Sequence, residues 1–121
     1  MARNVGLILV VLVALLHAYF LVMEMFLWQT PRVRAGFGMT AEFANESATL
    51  AKNQGLYNGF LAAGLIWGVV AQGSQGLDVR SFFLGCVVVA GVYGGFTASR
   101  RILIVQALPG AVALAVTLVA G

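Results

Sequence analysis

Apolar residues fill positions 5–28 almost without interruption. As a helix this run of about 24 residues rises ~36 Å at ~1.5 Å per residue, enough to cross a hydrocarbon core of ~30 Å with some tilt. Three further apolar runs follow, and together they predict spans at about 5–28, 54–71, 82–98 and 102–120. The second run is the shortest and must borrow polar residues from Lys52-Asn53-Gln54-Gly55 to complete a crossing. The expected fold is an all-α membrane protein: a single domain over residues 1–121, with four transmembrane helices in a bundle.

The connections carry their own signals. Residues 29–38 hold Pro31, Arg32, Arg34, Gly36 and Gly38 and read as a loop. Thr40 then offers an N-cap and Glu42 a first-turn acid. Phe43, Ala44, Ser47, Leu50 and Ala51 share one face of a short amphipathic helix in the first loop, with a pattern that allows it to run on into the second span. Residues 72–80 read as a short polar loop, and Pro109 predicts a kink in the last span. Small residues recur four apart at Gly55, Gly59 and Ala63, at Gly64 and Gly68, and at Gly91 and Gly95, giving faces on which another helix can approach closely. Pairing through such a face predicts a homodimer; packing within one chain would use the same glycines.

Composition agrees with the pattern. Of 121 residues, 61% are hydrophobic and only 9% charged, against ~25% charged in a soluble domain. The net charge of +3 comes from arginines and lysines beside hydrophobic runs, where they set orientation, so nucleic acid is not an expected partner. Arg32, Arg34 and Lys52 in the first loop and Arg100 and Arg101 in the third outnumber Arg3 and Arg80 on the opposite side. Loops one and three are therefore expected in the cytoplasm. The first run continues past any cleavage motif and is read as a retained helix, not a signal peptide. Cys86 is the single cysteine, which excludes an intrachain disulfide and a cysteine metal site. No phosphate loop, dinucleotide fingerprint, HExxH or nucleophile elbow occurs, so neither metal nor cofactor is expected, and whether the chain is an enzyme stays open.

Polar residues within the spans gather at one depth. Glu24 lies near the loop-one end of the first span, Asn53, Gln54, Tyr57 and Asn58 open the second, and Tyr93 and Thr97 close the third. His17 and Glu24 are seven apart, hence ~20° from one face and ~10 Å apart along the axis. An ionisable group inside a membrane helix costs ~2.5 to 3.5 kcal/mol on insertion scales, so it faces partners or a cavity. The expected ligand-binding set is His17, Glu24, Asn53, Gln54, Tyr57, Asn58 and Tyr93, with His17 at the floor of a polar cavity. Two readings stand side by side. The groups satisfy one another structurally, or they line a site for a small hydrophobic or cationic molecule.

His17, Tyr19, Glu24-Met-Phe-Leu-Trp28, Thr30-Pro31-Arg32, Phe37-Gly38 and above all the block Asn53-Gln-Gly-Leu-Tyr-Asn-Gly-Phe-Leu-Ala-Ala-Gly-Leu-Ile-Trp67 resemble the DUF1304 family of small bacterial membrane proteins. The resemblance covers essentially the whole chain. It implies a four-helix protein of the bacterial inner membrane in contact with lipid, and it leaves the reaction open. Three function classes therefore remain: a small-molecule site, a small proton-coupled transporter built around Glu24, and an accessory subunit whose glycine faces dock on another protein.

Overall fold

The computed structural model describes residues 1–71 and 73–121; of the expected 72–80 loop, Gln72 lies outside the described residues. The described residues form helices joined by short turns, without strands: α1 (Ala2–Phe26), α2 (Pro31–Phe37), α3 (Ala41–Val70), α4 (Gly73–Thr97), a π-helical turn (Leu103–Ala107) and α5 (Leu108–Ala120). Among the described residues three segments, α1, α4 and Leu103–Ala120, are long and apolar enough to cross a membrane. At 30 residues α3 is the longest helix, but Glu42, Glu46, Lys52, Asn53 and Gln54 occupy its first half, so it lacks their uniform apolarity. The chain forms two compact units, residues 16–60 and residues 1–15 with 61–121.

In the larger unit the apolar core gathers Val10, Val13 and Ala14 of α1, Leu65 of α3, Leu84 and Val87 of α4 and Ala113 of α5. Helix α4 starts at Gly73, not at Phe82 as the polar stretch 73–80 predicts. Ser74, Gln75 and Asp78 are exposed, whereas Gly76 and Arg80 are buried, so the stretch is an amphipathic first half of a helix and not a loop. Arg80 explains its inward face. Its Nη1 donates to the Gly68 carbonyl at 2.8 Å and its Nη2 to the Gly121 carbonyl at 3.3 Å. Gly68 lies in the last turn of α3 and Gly121 follows α5, so one guanidinium serves carbonyls that two helix ends leave without intrahelical donors.

Gly91 and Gly95, the pair that favours a homodimer in the sequence, pack inside the chain. A Cβ on Gly91 would come within 2.7 Å of the Ala107 backbone nitrogen, and one on Gly95 would meet the Leu103 side chain. The intrachain alternative accounts for both glycines, and the dimer expectation loses its argument from this face. Their partners lie on the π-helical turn, where the Leu108 N–H reaches back to the Leu103 carbonyl. The widened turn sits immediately before Pro109, which has no N–H to donate and whose ring crowds the preceding turn. Gln106 Nε2 on the same turn donates to the Val87 carbonyl at 3.3 Å.

In the smaller unit, residues 29–38 are not a loop. Thr30 takes extended dihedrals and its hydroxyl accepts from the Val33 N–H, Pro31 opens α2, and Gly38 closes it at φ 66°. The Gly38 N–H donates to Ala35 and that of Met39 to Arg34 at 2.8 Å. The proline and glycine that read as breakers are the first-turn proline and the left-handed C-terminal glycine of a two-turn helix. Thr40 caps α3 as expected, its hydroxyl accepting from the Phe43 N–H at 3.0 Å. The amphipathic helix and the second apolar run are one continuous helix.

Candidate functional site

The site is built where α1 and α3 approach each other within the smaller unit. Gly55 makes the approach possible: a Cβ there would lie 2.6 Å from Met25 Cγ, 3.1 Å from Glu24 Cβ and 3.2 Å from the Leu21 carbonyl oxygen. One turn on, a Cβ at Gly59 would lie 2.6 Å from Leu21 Cδ1. This places Asn58 against Glu24, and Asn58 Nδ2 donates to Glu24 Oε1 at 2.6 Å. Asn58 is buried and Glu24 half-buried. A neutral amide thus holds one carboxylate oxygen, and among the described residues no ion pair neutralises the charge. Arg32, one of the cations near enough in sequence to pair with it, is exposed.

Beside this pair opens a cleft of about 230 Å³, lined by Glu24, Met25, Phe26, Trp28, Gln29, Thr30, Ala48 and Lys52. Its walls are fixed by local bonds. The Trp28 indole N–H donates to Ser47 Oγ at 3.0 Å, and Ser47 in turn donates to the Phe43 carbonyl at 2.6 Å. The Trp28 ring packs on Phe37 with centroids 5.3 Å apart. Gln29 Nε2 donates to Asn45 Oδ1, and Thr30 Oγ1 to the Leu27 carbonyl at 2.7 Å. The result is a half-enclosed space with an aromatic wall, one carboxylate and one ammonium.

Of the residues expected at the site, the structure joins Glu24 and Asn58 by a hydrogen bond. His17 is fully buried, its ring edge-on to Phe20 at 5.3 Å, and does not line the cleft. The cleft lies at the C-terminal end of α1, where Glu24, Met25 and Phe26 line it. Asn53, Gln54 and Tyr57 are exposed on α3, Tyr57 stacking edge-on with Phe60 at 5.9 Å. Tyr93, on α4 in the other unit, is 71% exposed, and its carbonyl accepts from the Thr97 hydroxyl. Trp28, Gln29, Thr30, Ala48 and Lys52 line the cleft without belonging to the set expected from the sequence. The signal for Ala48 and Lys52 is helical spacing: 48, 52 and 55 fall on one stripe once α3 is continuous, and Gly55 on that stripe packs against Glu24.

Comparison with known proteins adds a family. A family model described as a protein of unknown function, DUF1304, matches residues 11–118. The chain is 33% identical over 101 residues to the uncharacterized protein YpaA of Lactococcus lactis, covering 82% of this chain and 84% of that protein. No solved structure matches.

Proposed function

The chain belongs to the DUF1304 family, and on that premise we propose that it is a multi-pass protein of the bacterial cell membrane, with α3 as a fourth span, that binds a small hydrophobic or cationic molecule against Glu24. The observation that carries this reading is the cleft itself: a half-buried carboxylate, tied by one oxygen to Asn58, lines about 230 Å³ of space next to Trp28. A carboxylate in such surroundings needs a positive or hydrogen-donating partner, and the aromatic wall favours an organic one. The basic residues of α2 and of residues 98–101 support placing both connections in the cytoplasm.

The test is to purify wild type and Glu24→Gln in gentle detergent and to identify co-purified small molecules by mass spectrometry. Glu24→Gln keeps an acceptor for Asn58 and removes the charge, so it should melt like wild type and lose the retained molecule. The Glu24–Asn58 bond also favours a second reading, in which the pair only clamps α1 to α3. On that reading the two proteins carry the same molecules and only Glu24→Leu lowers the melting temperature.

A further inference from the structure

The cleft holds two opposite charges that do not meet. Glu24 and Lys52 both line it, yet among the described residues neither forms an ion pair. Lys52 is exposed and carries a long flexible stem, so the amine has the freedom to move, but the structure keeps it away from the carboxylate. The other polar side chains on the walls are engaged locally: Gln29 with Asn45, Thr30 with Leu27 and Val33. What remains for a ligand is the second oxygen of Glu24 and the Lys52 ammonium, with Trp28 and Ala48 also on the lining.

From this we infer that the cleft takes a small zwitterion, its ammonium on Glu24 and its carboxylate or phosphate on Lys52. The inference rests on the proposed ligand-binding role and goes further by fixing the ligand's charge pattern. A lone cation satisfies Glu24 but is repelled by Lys52, and a lone anion meets the reverse. A zwitterion with a short carbon linker satisfies both and lays the linker against the apolar wall. A free metabolite of the amino-acid or phosphoethanolamine type and the headgroup of phosphatidylethanolamine share this chemistry.

The experiment uses the full chain in nanodiscs of phosphatidylglycerol, titrated with phosphoethanolamine, ethanolamine and inorganic phosphate, and read by native mass spectrometry and melting temperature. Phosphoethanolamine should bind more tightly than either fragment. Glu24→Gln and Lys52→Gln should each weaken it about tenfold or more, the loss expected for one charge-assisted contact. Ethanolamine binding should fall with Glu24→Gln alone. In a second arm the discs contain phosphatidylethanolamine: if the lipid is the occupant, one molecule stays with the protein and blocks the free compound, and if the metabolite is, the free compound binds as before. Binding of phosphoethanolamine no tighter than ethanolamine, or unchanged by Lys52→Gln, overturns the zwitterion while leaving a cation site at Glu24. Failure of all three probes on a protein that melts normally overturns it too, and the co-purification test then decides separately whether the cleft binds anything.

Discussion

Asn58 Nδ2 donates to Glu24 Oε1 at 2.6 Å across the α1–α3 contact, 34 residues apart in sequence. The bond joins the least easily accommodated group of the first span to an amide of the helix that packs on it. Asn58→Leu should therefore destabilise the protein, because Glu24 keeps its charge and loses its donor, while adding Glu24→Leu should recover part of the loss. In a membrane the coupling between such partners is about 0.6 to 1.7 kcal/mol. A double-mutant cycle from unfolding in detergent measures it, and additive losses would show that the bond contributes nothing to stability.

Two glycines on one stripe of α3 should differ in their tolerance of a methyl group. At Gly55 the new Cβ meets the Leu21 carbonyl and Glu24 Cβ as well as Met25, whereas at Gly59 it meets the end of the Leu21 side chain, which can turn away. Gly55→Ala should lower the melting temperature and weaken the Glu24–Asn58 bond, and Gly59→Ala should cost less. Equal melting of the two variants would contradict the close approach at Gly55.

Arg80 should behave as a structural residue, not as a surface charge. Arg80→Met removes donors from the Gly68 and Gly121 carbonyls and should destabilise by about 2 kcal/mol or more, since hydrogen bonds from charged groups contribute ~1.5 to 3 kcal/mol each. Arg80→Lys, with a point charge in place of a fork, should recover only part. Denaturant unfolding of both variants reads the effect, and a silent Arg80→Met would remove Arg80 from the packing argument.

Orientation follows from the basic residues. With cysteine placed at position 36 or 101 in a chain whose Cys86 is replaced, a membrane-impermeant thiol reagent should label only after the cell membrane is opened. Labelling of intact cells at either position would reverse the proposed topology.

Much of the fold is legible in the sequence because apolar runs and helix caps are local signals. Thr40 as the cap of α3 and the continuation of the amphipathic stretch into the second apolar run follow from residues within a few positions of each other. The errors share a cause. Pro31, Gly38 and the polar stretch 73–80 read in sequence as breaks in hydrophobicity, while their structural roles depend on what they terminate or face: Thr30 and Val33 for α2, and Gly68 and Gly121 for Arg80. Glu24 with Asn58 was foreseeable from depth, because two polar residues in an apolar layer have few other partners. Depth alone does not give azimuth, and so it also drew in Asn53, Gln54 and Tyr57, which face outward. Sequence proximity makes both Lys52 and Arg32 candidate partners for Glu24, and it takes the fold to put Lys52 on the cleft lining and leave Arg32 off it.

The central claim is that the Glu24 cleft is an occupied site, and a density map of the protein prepared from native membranes tests it most directly. The account predicts compact non-protein density in the cleft, in contact with Glu24 and reaching toward Lys52, with the Asn58 amide still on the opposite carboxylate oxygen. A closed cleft in which Lys52 bonds directly to Glu24, or a Glu24 side chain turned out toward lipid, would contradict it.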